Sequence, residues 1–290
     1  MWTGCLTALI TPLRDGDVDY RALGDLVESQ IAAGINGLVP CGSTGESATL
    51  THDEHAEVVR QVVKMAHGRV PVIAGTGSNS TNEAIRLTRA AEQAGADGAL
   101  LISPYYNRPT QEGIFRHYKA VAEATRLPIL VYNIPIRTAS HITPETLARL
   151  SHVPNVAGVK EASGSMAQVL EIVATAETDF AVWAGDDIMT LPIVAAGGVG
   201  VISVASNLVP HRMVDLTNTL LAGDFGRGRA LLRDLLPLMN ALSLEVNPIP
   251  VKTAMAMMGI CADEFRMPLT PMSEGPRERL AAVLRQYDLA

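Results

Sequence analysis

Short apolar segments alternate along the chain with longer stretches in which apolar residues recur at helical spacing. Eight of the short segments predict strands, since a continuous apolar run is typical of a strand that is buried on both faces. They read CLTALIT, GLVPCG, VPVIAG, GALLIS, PILVYN, VAGVK, FAVWAG and GVISV. The stretches between them, for example THDEHAEVVRQVVKMA and TNEAIRLTRAAEQAGA, predict helices.

The regular alternation of strand and helix predicts the fold class. Parallel β/α units arrange their strands in one sheet, and eight such units favour a closed (β/α)8 TIM barrel. The last predicted strand ends near Val204, and the rest of the chain is rich in Leu, Ala and Met at helical spacing. We therefore predict an α/β protein with a (β/α)8 barrel at residues 1–223 and a C-terminal helical domain at residues 224–290.

The composition limits the classes of partner. The 290 residues are 48% hydrophobic and 18% charged, which supports a sizeable core and argues against disorder. A net charge of −7 and a pI near 5.5 leave no basic face for a phosphate backbone, so we expect small-molecule ligands and no nucleic acid. The three cysteines form no CxxC pair and suit reduced thiols in a cytoplasm.

Two segments bear on localisation. The N-terminal MWTGCLTALITPLRDG lacks the basic region that begins a secretory signal. Residues 188–210 carry no charge over a length that could span a bilayer, but three glycines and several small polar residues interrupt them. This segment favours a loop that leads into a buried strand. We therefore expect a cytoplasmic protein with no membrane partner.

The carboxyl ends of barrel strands meet at one open face, where catalysis occurs in this fold. The predicted strand ends bring to that face CGSTGES, SPYYNRP, VYNIPIRT, Lys160 and AGDD. Apolar surroundings lower the pKa of a lysine amine, which can then condense with a ketone as a Schiff base. Position alone leaves open a second interpretation, an ion pair of Lys160 with Glu161 or another carboxylate at the rim. The hydroxyl of Tyr132 favours imine chemistry, which needs proton transfer, although a buried tyrosine more often only packs.

Longer motifs extend over nearly the whole chain: ALITP, GSTGESATL, PVIAGTGSN, PYYNRPTQEG, YNIPIRT, GVKEASG, GDD, GVISV, NPIPVK and RMPLTP. With these motifs the sequence resembles the dihydrodipicolinate synthase and N-acetylneuraminate lyase superfamily of Schiff-base class I aldolases, and within it the synthase branch. The resemblance implies an enzyme that joins pyruvate, bound as a lysine imine, to L-aspartate 4-semialdehyde in diaminopimelate and lysine biosynthesis. It implies neither a cofactor nor a metal.

The resemblance also implies roles for individual residues. Lys160 matches the imine-forming lysine, and Tyr132 matches the tyrosine that relays protons around the imine. Ser43 and Tyr106 match the hydroxyls that complete the relay, with Tyr106 reaching in from a neighbouring subunit. We therefore expect a homo-oligomer, at least a dimer and, as a dimer of dimers, a tetramer. The implied substrate-binding residues are Thr44 for the pyruvate carboxylate, Arg137 for the semialdehyde carboxylate, and Gly185 and Ile202 at the backbone of the pyruvate pocket.

One position departs from the synthase pattern. The sequence reads GSTGE where the synthase usually has Gly-Thr-Thr-Gly-Glu, and Ser43 resembles the sialate lyase branch. Serine keeps the hydroxyl but lacks the methyl group that restrains χ1. Arg137 argues for the synthase, because the lyase branch lacks an arginine in the corresponding loop. Two alternatives stay open: a lyase acting on N-acetylneuraminate or another 2-keto-3-deoxy sugar acid, and a non-catalytic regulator that binds an amino acid.

A second group of residues concerns regulation. His52 and His55 lie three residues apart at a predicted helix start, but no third ligand accompanies them, and surface histidines are the ordinary interpretation. The glycines of GSTGES fit neither GxxxxGK[ST] nor GxGxxG, which argues against a phosphate loop. By resemblance, L-lysine is an expected inhibitor, because seven positions match the allosteric site at which it binds in the family: Ser47, Ala48, His52, His55, Asn79, Glu83 and Tyr105.

Overall fold

The structure, a computed structural model, describes residues 2–289. Over that range the strands are β1 Gly4–Ala8, β2 Leu13–Arg14, β3 Asp17–Val18, β4 Gly37–Val39, β5 Ile73–Gly75, β6 Gly98–Ile102, β7 Ile129–Asn133, β8 Val156–Glu161, β9 Ala181–Ala184 and β10 Gly200–Ser203. The main sheet of these residues holds eight parallel strands in the order β4-β1-β10-β9-β8-β7-β6-β5. β2 and β3 form a small antiparallel hairpin that the apolar pattern did not predict.

The two edges of the main sheet meet and close it into a ring. Leu38 of β4 forms a parallel bridge with Val72, immediately before β5. The Leu38 N–H donates to Pro71 O at 2.9 Å, and the Gly75 N–H donates to Pro40 O at the same distance. Each of the eight predicted strands contributes to this ring, so the (β/α)8 barrel predicted from the sequence is confirmed.

Helices surround the barrel and continue beyond it. Their bounds are α1 Tyr20–Ala32, α2 His52–Ala66, α3 Thr81–Gln93, α4 Gln111–Ala122, α5 Pro135–Thr138, α6 Pro144–Ser151, α7 Met166–Thr175, α8 Thr190–Ala195, α9 Pro210–Leu221, α10 Phe225–Ala241, α11 Ile249–Met257 and α12 Glu274–Gln286. Helix α2 shows how local sequence sets these bounds. Thr51 Oγ1 accepts the Glu54 N–H at 3.2 Å while the Glu54 carboxylate accepts the Thr51 N–H at 2.8 Å, a capping box that starts the helix.

Two apolar regions bury the strands on both faces. One fills the barrel interior and includes Leu6, Val39, Ile73, Leu100, Leu130, Trp183 and Ile202. The other lies between strands and helices and includes Cys5 of β1, Leu38 of β4 and Val159 of β8. Because neighbouring residues of one strand point to opposite faces, both must be apolar. This explains why the strands read as continuous apolar runs.

The C-terminal helices pack against the barrel helices. Helix α10 contacts α8, α9 and α12, and Asp224 caps α10 by accepting the Arg227 N–H at 2.9 Å. The division of the chain between residues 223 and 224 stays a prediction. Residues 188–210 fold as α8, β10 and short connecting turns. Among residues 2–289, no helix has both the length and the apolar character needed to cross a membrane.

We predict that Gly200→Ala disrupts barrel closure. Gly200 pairs with Gly4 of β1 at a φ of +149°, and a Cβ at Gly200 would lie 1.9 Å from Gly4 O. Thermal and urea unfolding should show a loss of about 3 kcal/mol or more, because overpacking and backbone strain add. Gly275→Ala in α12, where an added Cβ meets nothing within 4 Å, is the control and should be neutral or slightly stabilising. Equal stability of the two variants would contradict this account.

Candidate active site

Lys160 and Tyr132 lie side by side at the carboxyl ends of β8 and β7. The two strands pair in register at these residues, so both side chains point to the same face of the sheet. Lys160 Nζ lies 4.4 Å from the centroid of the Tyr132 ring. Lys160 is only 5% exposed. The barrel therefore encloses a single amine against an aromatic ring.

This enclosure changes the acidity of the amine. Burial lowers the pKa of Lys160 to about 8, with Asp187 and Asp186 opposing the effect and Arg137 reinforcing it. About one tenth or more of the amine is then neutral near pH 7, against less than one in a thousand at its ordinary pKa. Glu161 is engaged elsewhere, since its carboxylate accepts from Asn133 Nδ2 and Gln168 Nε2, both at 2.9 Å. The alternative pairing of Lys160 with Glu161 is therefore wrong.

A cavity of about 290 Å³ opens over Lys160. Four other predicted site residues line it together with Lys160: Thr44, Tyr132, Arg137 and Gly185. The C-terminal helical region supplies a further wall with Met239, Leu242 and Asn247. The cavity is thus shared between the barrel mouth and the segment that folds over it, and its polar groups are concentrated around one amine.

Asn247 joins the two residues that the sequence assigned to carboxylate binding. Its Nδ2 donates to Thr44 Oγ1 at 3.0 Å, and its backbone carbonyl accepts from Arg137 Nη2 at 2.7 Å. Because Thr44 Oγ1 accepts this hydrogen bond, its own O–H can donate to a carboxylate in the cavity. Sequence reasoning did not single out Asn247, although the NPIPVK motif contains it.

The Tyr132 hydroxyl is kept protonated. Burial raises the pKa of Tyr132 to about 12, with Asp186 acting in the same direction, while Arg137 and a hydrogen bond with the Ser43 side chain oppose it. At neutral pH the phenol therefore carries its proton and can both donate and accept a hydrogen bond. Ser43 lies beside this hydroxyl but outside the cavity lining.

Besides Ser43, two other predicted site residues are outside the cavity lining of this chain. Tyr106 is 88% exposed, at a φ of +72°, and its backbone N–H donates to Thr138 O at 3.2 Å. The side chain of Ile202 belongs to the apolar barrel interior with Tyr132 and Trp183. Neither residue is part of the cavity lining. The single chain thus assembles most of the predicted site, but not all of it.

Gly185 and Asp187 form the part of the lining that follows β9. A Cβ at Gly185 would lie 2.7 Å from the Ala162 Cβ, so only glycine fits there. Asp187 Oδ2 accepts the backbone N–H groups of Val204 and Ala205 at 3.1 and 2.9 Å, and burial raises the pKa of this carboxyl group. The AGDD motif was predicted to lie at the barrel mouth, but Asp187 was not among the predicted site residues.

A second cavity of about 160 Å³ lies between α2 and α3. Six of the seven residues predicted for an allosteric site line it, namely Ser47, Ala48, His52, His55, Glu83 and Tyr105. Asn79 is outside the lining, and its backbone carbonyl accepts from Asn107 Nδ2 at 2.9 Å. The structure therefore brings together most of a group that is scattered over the sequence.

The polar side chains that line the second cavity form hydrogen bonds with each other and with neighbouring groups. His52 Nε2 lies 2.6 Å from Glu83 Oε1, and Ser78 Oγ donates to the other oxygen of the same carboxylate. His55 Nε2 donates to Gly75 O at 2.7 Å, and burial lowers the pKa of this imidazole, which keeps it neutral. Within residues 2–289, no group of three or more His, Cys, Asp or Glu side chains is arranged to hold a metal ion.

The sequence matches a known protein family over nearly its whole length. The family model described as "Dihydrodipicolinate synthetase family" matches residues 1–287. The 4-hydroxy-tetrahydrodipicolinate synthase of Nitratidesulfovibrio vulgaris strain DP4 is 54% identical over 284 residues, which are 98% of this chain and 97% of the relative.

Solved structures give the same picture. Chloride-inhibited dihydrodipicolinate synthase from Acinetobacter baumannii, complexed with pyruvate, superposes with a TM-score of 0.98 at 42% identity and covers all of both chains. The enzyme from Cyanidioschyzon merolae with lysine bound has a TM-score of 0.97 at 37% identity, covering 100% of this chain and 99% of that one. The chain therefore belongs to the dihydrodipicolinate synthetase family.

Proposed function

We propose that this protein condenses pyruvate, held as an imine on Lys160, with L-aspartate 4-semialdehyde, and so forms 4-hydroxy-tetrahydrodipicolinate for diaminopimelate and lysine biosynthesis. The observation that carries the proposal is the buried Lys160 amine, packed on Tyr132 in a cavity that also holds Thr44 and Arg137. Relatives of about half identity over the full chain bear the name of this synthase. The chain is an enzyme of a pyruvate-dependent lyase family.

The first half of the reaction forms the imine. The neutral amine of Lys160 attacks the carbonyl carbon of pyruvate, and the resulting carbinolamine loses its hydroxyl as water once that oxygen is protonated. Tyr132 is the donor in reach, because its hydroxyl keeps its proton at neutral pH. Thr44 Oγ1 holds the pyruvate carboxylate and so fixes the carbonyl over the amine.

The second half joins the two substrates. The Tyr132 oxygen, which has given its proton to the departing water, takes a proton from the pyruvate methyl carbon to give an enamine. The enamine attacks the aldehyde carbon of the semialdehyde, and the aldehyde oxygen takes that proton and becomes the 4-hydroxyl group. Arg137 at the cavity rim binds the carboxylate of that substrate. The amino group of the adduct then attacks the imine carbon and displaces the Lys160 amine, which closes the ring and regenerates the enzyme.

Family membership and Arg137 together favour this reaction over the two alternatives. A polyhydroxylated sugar acid gives the guanidinium no corresponding carboxylate at that position, and a regulator without catalysis has no need of a buried nucleophilic amine. We assign the reaction to the cytoplasm, because Cys5, Cys41 and Cys261 are free and buried.

Oligomerisation is part of the proposal. Ser43 passes protons from Tyr132 towards solvent, and Tyr106 completes the relay in the site of a neighbouring subunit. The high exposure of Tyr106 supports this role, since a large aromatic ring on the surface of a single chain is typical of an interface. The active unit is then at least a dimer, and pairing of dimers gives a tetramer.

The second cavity is proposed to bind L-lysine as an inhibitor. Glu83 can pair with the side-chain ammonium group, while Ser47, Ala48 and the histidines surround the amino-acid end. A relative of the same fold has been solved with lysine bound. Tyr105 lines this cavity and precedes Tyr106 in sequence, so lysine binding can disturb the proton relay.

We predict that imine formation follows the titration of Lys160. Borohydride with pyruvate should trap an adduct on Lys160, measured by mass spectrometry, and the rate should rise about tenfold per pH unit until it levels off near pH 8, because only the neutral amine attacks. Lys160→Ala should abolish trapping, whereas Lys119→Ala, at an exposed lysine of α4, should not. A rate that rises unchanged to pH 10 would disprove the lowered pKa.

We predict that Arg137→Ala separates the two substrates. Loss of a charge-assisted carboxylate contact costs about 2 to 4 kcal/mol, so the KM for aspartate semialdehyde should rise by about 30-fold or more. The KM for pyruvate and the trapping of Lys160 should change far less. Arg137→Lys, which keeps the charge but not the two-pronged geometry, should lie in between. Equal effects on both substrates would count against the assignment.

We predict partial inhibition by L-lysine that is not competitive with pyruvate. Glu83→Ala should weaken it at least about tenfold, since the ammonium group loses its carboxylate partner. Glu92→Ala, near the other end of α3 and outside the cavity, is the matched control. The measurement is steady-state activity with calorimetry, up to tens of millimolar lysine as an order-of-magnitude ceiling. Flat activity and no heat in the wild-type protein would refute the site.

A further inference from the structure

The loop of residues 42–51 between β4 and α2 carries the active-site hydroxyls Ser43 and Thr44. On the barrel side, Thr11 Oγ1 donates to Gly45 O at 2.7 Å. Within the loop, backbone hydrogen bonds run from Gly45 N–H to Gly42 O at 3.1 Å and from Glu46 N–H to Ser43 O at 3.2 Å. These contacts make a tight turn, but the turn alone does not set its distance from the barrel mouth.

Glu46 is the one charged residue of this loop. It sits in the left-handed backbone region at a φ of +53°, and its side chain is buried. One carboxylate oxygen accepts from Nζ of Lys252 in α11, and the other accepts the backbone N–H of Arg266 at 3.3 Å. Lys252 is 0% exposed, and its ammonium group also lies 5.0 Å from the centroid of the Phe265 ring.

Further contacts hold the same loop from the C-terminal side. Arg266 Nη1 donates to Thr49 O at 3.2 Å and to Glu54 Oε2 at 2.8 Å. Asn247 Nδ2 donates to Thr44 Oγ1 at 3.0 Å. The C-terminal helical region thus contacts the loop at several positions. The Lys252–Glu46 ion pair is the fully buried contact among them.

A gain in folding stability is a poor explanation for the presence of this buried ion pair. Moving two charges out of water is costly, and replacing a buried ion pair by well-packed hydrophobic residues of similar volume is often neutral or stabilising for the fold. A charge-assisted hydrogen bond in a dry interior does restrict geometry strongly, because no water is present to replace either partner if the two charges move apart. The pair is therefore better suited to fixing a position than to adding stability.

We infer that Lys252 and Glu46 are positioning residues, which hold the loop where Thr44 meets the pyruvate carboxylate and Ser43 meets Tyr132. The inference rests on the proposed reaction and adds to it a requirement on the C-terminal region. Neither residue touches substrate. Their effect passes through one turn of backbone, from Glu46 to Thr44, which lies two positions earlier in the chain.

The test is the double variant Lys252→Met with Glu46→Gln, which removes both charges and nearly preserves volume. We expect it to unfold cooperatively near the wild-type temperature and to form the trapped pyruvate adduct at saturating pyruvate, because Lys160 stands on β8. Its kcat/KM for pyruvate should fall on the order of 100-fold with a raised pyruvate KM, as misplacement of a binding group by about 1 Å can cause. The KM for the semialdehyde should change less.

The control is Arg277→Met with Asp263→Asn, which removes another ion pair of the C-terminal region that makes no hydrogen bond to residues 42–51 and should leave both KM values unchanged. If the Lys252–Glu46 pair only stabilises the fold, the double variant shows a changed melting temperature or less active protein at an unchanged pyruvate KM, which overturns the inference. Should the double variant not fold, Glu46→Asp, which keeps both charges but shortens the side chain by one methylene, must show a smaller rise in pyruvate KM, and an unchanged value there overturns the inference too. An inactive wild-type protein would instead contradict the proposed function.

Discussion

The burial of one amine at the mouth of a closed barrel is the constraint on which the site depends. Lys160 can occupy this position because β8 must be apolar on both faces only up to its last residues, where the barrel opens. Desolvation then favours the neutral form of the amine, while Asp187 prevents the pKa from falling further. The same enclosure keeps the Tyr132 phenol protonated, so one physical cause prepares both a nucleophile and a proton donor.

The C-terminal helices complete this environment. A (β/α)8 barrel leaves the carboxyl ends of its strands open to water, which would restore the ordinary pKa of an amine there. Met239 and Leu242 cover part of the mouth, and Asn247 links Thr44 to Arg137 across it. The appended region therefore acts as a wall of the site and as an anchor for its loops, and barrel and appendage form one functional unit.

The two cavities share a construction principle. Each lies at the carboxyl ends of barrel strands, and each takes residues from the loop that precedes α2. Thr44 belongs to the first and Ser47 to the second, only three positions apart. Tyr105, which lines the second cavity, directly precedes Tyr106, which is proposed for the proton relay, so the backbone gives a second covalent connection. Coupling between the sites needs no long pathway, since the backbone itself joins them.

The barrel, its eight strands and the central lysine could be predicted from the order of residues alone. A strand that is buried on both faces has a continuous apolar sequence. The charged residue Lys160 at the end of such a run can therefore be recognised from the sequence. Family motifs added Tyr132, Thr44 and the effector residues. The β2–β3 hairpin was missed, because two-residue strands carry no periodic signal.

The partner of each polar group, by contrast, follows from the three-dimensional packing of the chain. It separated Lys160 from Glu161, which is adjacent in sequence but faces the other side of the sheet. It brought Asn247 to Thr44 across 203 positions and Lys252 to Glu46 across 206. Such contacts depend on how the C-terminal helices fold back over the barrel. The local pattern of apolar and polar residues carries no information about contacts between positions so far apart in sequence. The pKa of a buried group depends on the same packing. Residue types therefore suggest a chemistry, and burial in the folded chain sets the protonation states that it needs.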